Sequence, residues 1–211
     1  MILPVFIQAP WVHVFPFSAF LFTFVFVVIG LFFIHFLSER FLNVGSLLIG
    51  VSGSWLGGCL FWGWLRNYPI LHLPVESIAL PIAIAGLNTK WRLGAGFYLA
   101  SLVGTAITDL MILCTGVMDS WPEVVNANIK SASLLLSKAS HELLQPFNIV
   151  LLSLAALSIF FIAGWMSKRS LSDEILKDTW IVASAALITT LWVDGLFFAT
   201  TLIQPQLSGL I

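Results

Sequence analysis

The sequence predicts an all-α polytopic membrane bundle, a single domain over residues 1–211 with about six transmembrane helices and one amphipathic surface helix. Three observations carry that prediction. The 211 residues are 59% hydrophobic and only 9% charged, with a mean hydropathy of +1.02. Soluble domains carry about 25% charged residues, so a water-facing surface cannot be assembled from so few charges. Apolar runs of roughly the length that crosses about 30 Å of hydrocarbon recur along the chain. They cover residues 14–37, 41–65, 70–87, 93–117, 146–166 and 180–203. Between the fourth and fifth, residues 121–143 place apolar side chains at helical spacing, which reads as an amphipathic helix. The net charge of −1 gives no electrostatic footprint for nucleic acid.

The N-terminal segment 1–12 is apolar but broken by Pro4 and Pro10. It is too short to span and reads as an interfacial segment lying across the bundle. It has no basic region before its first apolar run, so the first membrane helix is expected to direct insertion. Span 1 is rich in Phe and suits lipid contact. Span 2 carries Gly45, Gly50, Gly53, Gly57, Gly58 and Gly63. Gly53 and Gly57, one turn apart, allow close approach of another backbone, from the same chain or from a partner protein. The span ends in Trp62, Trp64, Arg66 and Tyr68, side chains typical of a membrane–water interface.

Span 3 is short and interrupted by Pro74 and Pro81, with Glu76 between them. It either crosses or re-enters. In span 4, Ser101, Thr105, Thr108 and Asp109 fall on one helical stripe. In the polar region that follows, Ser120 reads as an N-cap, with Pro122 in the first turn and Glu123 three residues after the cap. The helix begun there is expected to lie on the membrane surface or to dock a partner protein. Residues 167–178 read as a charged loop, and span 6 carries Thr190 and Asp194 one turn apart. Cys59 and Cys114 sit inside apolar runs and read as inert buried thiols, in neither a CxxC nor a metal-ligand spacing.

If all six segments cross, loops 1–2, 3–4 and 5–6 share one side. They hold Arg40, Lys90, Arg92, Lys168, Arg169 and Lys177, whereas the other side holds Arg66, Lys130 and Lys138. The basic excess places both termini on the non-cytoplasmic side.

Three acids lie inside these spans: Glu76, Asp109 and Asp194. At 1.5 Å per residue, and with spans 4 and 6 antiparallel to span 3, they sit about 9, 12 and 13 Å from the same membrane face. A charge at the bilayer centre costs about 2.5–3.5 kcal/mol on insertion scales, so such residues mark functional positions by default. The expectation is a polar intramembrane site of Glu76, Asp109 and Asp194, with Arg66, His72, Thr105, Thr108 and Thr190 contributing. Its ligand would be a small solute, a cation or a proton. The competing reading is that each acid separately caps a helix break or bonds a neighbouring hydroxyl. Enzyme signatures are weak. There is no G-x-S-x-G, no HExxH, and His13, His35, His72 and His141 are isolated in the sequence.

Several blocks carry a family resemblance: Phe6-Ile7-Gln8-Ala9-Pro10, Ser54-Trp55-Leu56, Trp62-Gly63-Trp64-Leu65-Arg66, His72-Leu73-Pro74-Val75-Glu76 and Gly104-Thr105-Ala106-Ile107-Thr108-Asp109. Over residues 1–110 the chain resembles an uncharacterised cyanobacterial integral-membrane family, domain of unknown function 3120. The resemblance implies a thylakoid or plasma-membrane protein and supplies no activity. It opens an alternative function, a non-enzymatic accessory or assembly subunit of a photosynthetic membrane complex. The contact surfaces would then be the Gly53/Gly57 face and the 121–143 helix. No cofactor is evident; in such a membrane, chlorophyll on a histidine or a carotenoid would be the pigments to consider, and no residue pattern supports either.

Overall fold

Six helical segments are long and apolar enough to cross a membrane: Pro16–Phe36, Glu39–Leu65, Pro69–Gly86, Arg92–Cys114, Pro146–Ser172 and Lys177–Ile203. The computed structural model of the chain describes residues 7–204, the Ile129 side chain apart, and no strand occurs among them. The protein is an all-α integral membrane bundle. The sequence-predicted segment 1–12 and the C-terminal tail fall partly outside the described residues.

The chain enters through a short helix, α1 (Ala9–Val14). It is packed into the bundle rather than laid across it: Gln8 and Val12 are buried, and the Gln8 amide donates to the Trp55 carbonyl at 2.6 Å. Helix α2 (Pro16–Phe36) turns phenylalanines such as Phe17 and Phe36 outward, as lipid contact requires.

Helix α3 (Leu42–Leu60) is the central element, packed against α2, the third span and α6 (Arg92–Cys114). Its glycines explain how. A Cβ on Gly94 of α6 would stand 1.8 Å from the Ser46 carbonyl oxygen, so the two backbones meet with no room for a side chain. The Gly53/Gly57 face is used within the chain. A Cβ on Gly53 would meet the Tyr98 ring at 3.1 Å, and one on Gly57 would meet the Glu76 Cα at 2.8 Å. That face is therefore closed to a partner protein. Past Leu60 the helix loosens into a π turn, Phe61–Leu65.

The third span is assembled from pieces: a 3₁₀ turn Pro69–Leu71, α4 (His72–Glu76), a second 3₁₀ turn Ser77–Ala79, and α5 (Leu80–Gly86). Pro74 and Pro81 withhold two N–H donors within the span, and the freed backbone acceptors need new partners. The Ser77 hydroxyl donates to the Pro74 carbonyl at 2.8 Å, and the Tyr98 phenol of α6 donates to the Glu76 carbonyl.

The 121–143 region differs from expectation. It is two helices, α7 (Val117–Asn126) and α8 (Ile129–Leu143), separated at Ala127. Helix α7 starts earlier than predicted because Gly116 adopts φ 74°, a left-handed turn after α6. Ser120 therefore lies inside α7, bonding the Val117 carbonyl at 2.9 Å, and Pro122 is interior rather than in the first turn. The cap is instead Asn128, whose side chain accepts from the Ser131 N–H at 3.0 Å. Nor does α8 offer its whole apolar face to lipid or a partner. Ala132, Leu136 and Ala139 are buried, and Ser140 donates to Thr201 at 2.7 Å.

Helices α9 (Pro146–Ser172) and α10 (Lys177–Ile203) form a long hairpin. The predicted charged loop shrinks to residues 173–176 because α9 runs on through Lys168 and Arg169. Arg169 lies over the Trp165 ring, 5.4 Å from its centroid, which supports that extra turn. Of the two thiols, Cys59 is buried as expected, whereas Cys114, at the end of α6, is exposed.

Candidate functional site: a histidine between two intramembrane acids

Helix α4 spans little more than one turn, but it sets the site. His72 and Glu76 are four residues apart and so share a face. His72 Nε2 lies 3.4 Å from Glu76 Oε1, and its Nδ1 lies 2.9 Å from Asp109 Oδ1 on α6. One imidazole thus faces two carboxyl groups, one at each nitrogen. Phe61 holds the ring from the side, with ring centroids 4.3 Å apart. The π turn that begins at Phe61 aims this buried side chain at the site.

The hydroxyls of α6 complete the arrangement. Thr105 Oγ1 donates to Glu76 Oε2 at 2.8 Å, so both oxygens of Glu76 are engaged. Thr108 Oγ1 lies 2.6 Å from Asp194 Oδ2 on α10 and 3.1 Å from the Gly104 carbonyl. The hydroxyl has one proton, so it either donates to Asp194 or donates to Gly104 and accepts from a protonated Asp194. Asp194 lies within electrostatic range of both Asp109 and His72. The predicted stripe on α6 therefore splits by function. Thr105 and Asp109 turn toward α4, while Thr108 turns toward α10.

The other predicted members stand elsewhere. Thr190 is buried, bonds the Ala186 carbonyl at 3.2 Å and packs where a Cβ on Gly104 would sit, at 2.6 Å from its Oγ1. It holds the α6–α10 crossing. Arg66 lies on the predicted side of the membrane but not at the site. Its guanidinium pairs with His13, and its carbonyl accepts from the Trp121 indole at 2.8 Å. Among the described residues no carboxylate is in ion-pair distance of Arg66. Of the other histidines, His13 meets Arg66 across the fold, whereas His141 bonds the Ser137 carbonyl one turn back in its own helix at 2.7 Å.

Sequence reasoning missed Tyr98 and Phe61. Tyr98 lies seven residues before Thr105, on the same face of α6, so extending that stripe by two turns would have found it. Phe61 gave no such signal, since the π turn re-aims it.

In chemical terms the trio counts protons. The His72–Asp109 contact is a hydrogen bond and holds one proton, and the longer His72–Glu76 approach becomes one when it holds a second, so two protons would be shared by one imidazole and two carboxyls. The trio then carries a net charge of −1 wherever those protons reside. Among the described residues no three His, Cys, Asp or Glu side chains are grouped to hold a metal ion. The side chains of His72, Glu76 and Asp109 are 23%, 18% and 14% exposed, so the trio is shielded but not sealed.

A family model described as "Protein of unknown function (DUF3120)" matches residues 1–202, well beyond the blocks in the first half that carry the sequence resemblance. No curated protein and no solved structure matches the chain. The chain belongs to the DUF3120 family of proteins of unknown function.

Proposed function

We propose that the protein binds a proton inside the membrane and relays it between Glu76, His72 and Asp109. The observation that carries this reading is the single imidazole with a carboxyl at each ring nitrogen. A proton on either nitrogen, or on either carboxyl, satisfies the same two contacts. Moving between these states needs little rearrangement of heavy atoms. Burial disfavours the fully charged arrangement, so forms that share protons along the two contacts are the less costly ones. Asp194, held by Thr108 on the α10 side of α6, stands beside this trio within electrostatic range of it.

This makes the chain a binding or transport protein with a proton as ligand or coupling ion, rather than an enzyme. With both nitrogens facing carboxyls, His72 has no lone pair to offer a pigment metal without giving up one contact. The accessory-subunit reading loses two of its surfaces, since the Gly53/Gly57 face and much of the α8 apolar face are covered by the chain itself.

The test is proton movement in proteoliposomes carrying an enclosed pH dye under an imposed potassium diffusion potential. Wild-type vesicles should acidify faster than empty ones, and His72→Gln and Asp109→Asn should abolish the difference. Equal rates for wild type and both variants would sink the relay.

A further inference from the structure

A cavity of about 590 Å³ lies among α6, α7, α8, α9 and α10. Its walls are chiefly apolar side chains, Ile107, Met111, Leu136 and Ile159 among them. Its size falls in the range of small-molecule sites, about 300–1,000 Å³, which pair apolar walls with a few placed polar groups. Thr108 and Asp194 are those groups, and Asp194 is the single ionisable residue on the described wall. Three further hydroxyls on the wall have local partners, since Ser120 bonds the Val117 carbonyl, Thr115 the Met111 carbonyl, and Ser140 bonds Thr201, while Ser153 on α9 is a further polar group of the wall.

Charge decides the occupant. Among the described residues no cation is in ion-pair distance of Asp194, because His72 is held by Glu76 and Asp109, and Arg66 is held by His13. Thr108 occupies one side of one carboxylate oxygen, and an ionised carboxylate has about four acceptor positions. A lipid acyl chain would fill the volume and leave the carboxylate without a counter-charge. An apolar molecule ending in a protonated amine would satisfy both.

We propose that this cavity binds an amphiphilic amine, its apolar body among the α6, α8 and α9 side chains and its ammonium group donating to Asp194. The inference rests on the intramembrane acid site in so far as Asp194 is its outlying member. It names a substrate class for the half of the site that the His72 trio does not occupy. Gly195, on the same wall, has open space where a Cβ would project, so a larger side chain there enters the cavity without displacing its neighbours.

The experiment is calorimetric titration of the full chain in nanodiscs with 4-phenylbutylamine, 4-phenylbutanol and 4-phenylbutyrate, three molecules sharing a body and differing in head group. The amine should bind saturably and at least about tenfold more tightly than the alcohol or the acid, as a charge-assisted hydrogen bond warrants. Asp194→Asn should erase that preference, and Gly195→Leu should weaken binding of all three. Equal binding of amine and alcohol by the unaltered protein overturns the proposal and leaves the cavity to lipid chains, whether or not the variants fold. His72→Gln separates the two readings. Amine binding that survives in it while proton movement is lost supports both. Loss of the head-group preference with proton movement intact in the wild type overturns this inference alone. Amine preference without proton movement in the wild type overturns the relay alone.

Discussion

His72 Nδ1 and Asp109 Oδ1 lie 2.9 Å apart and join the broken third span to α6. The contact ties a segment whose own backbone bonding is interrupted to a continuous helix. Removing the imidazole leaves two shielded carboxyls facing each other without it. His72→Ala is expected to cost about 3 kcal/mol, as breaking a buried ionic pair from one side does. Unfolding in mixed micelles measures it. The double variant His72→Leu with Asp109→Leu should recover part of the loss, because it removes the stranded charge along with its partner.

Tyr98→Phe tests the proline break itself. The phenol donates to the Glu76 carbonyl, which lies where the helix gives way to a 3₁₀ turn. Loss of that one hydrogen bond should destabilise by about 1 kcal/mol while keeping the ring's packing. Because the same residue's carboxyl belongs to the site, proton movement should fall in parallel with stability. A stable Tyr98→Phe protein with unchanged proton movement would show that the break is held by other contacts.

The α3–α6 crossing allows a sharper contrast. A Cβ at Gly94 would fall 1.8 Å from the Ser46 carbonyl oxygen, whereas one at Gly164 would meet nothing within 4 Å. Gly94→Ala should destabilise by about 3 kcal/mol or more, since backbone rather than a movable side chain must yield. Gly164→Ala should stay within about 0.5 kcal/mol of wild type. Melting temperatures of the two purified variants compare them directly.

Much of this organisation was legible in the chain because burial of charge is expensive. Glu76, Asp109 and Asp194 stood out inside apolar runs, and helical rise gave the expectation of a common depth. Depth is not azimuth, however. Arg66 lies toward the same membrane face by counting, yet it meets His13 and Trp121, and no periodicity argument foretells that direction. His72 looked isolated because its partner Asp109 is 37 residues away on another helix, and only packing brings them together. The split of 121–143 was hidden because apolar spacing continues through it. Asn128, a good cap with Ser131 three residues on, was the available signal. The glycines of α3 announced a close approach but not its partner, which is the chain's own Tyr98 and Glu76. The cavity beside Asp194 left no trace in the sequence, since it is bounded by five helices and belongs to none of them.

The most direct measurement is infrared difference spectroscopy of the bilayer-reconstituted protein through a pH titration, following the protonated-carboxyl stretch. If Glu76, His72 and Asp109 share their protons, the titration is a property of the trio. Glu76→Gln, Asp109→Asn and His72→Gln should then each displace the midpoint of the remaining signal, although His72 contributes no carboxyl of its own. A carboxyl titration left unmoved by His72→Gln would contradict the account, because it would mean that the two acids hold their protons independently of the ring between them.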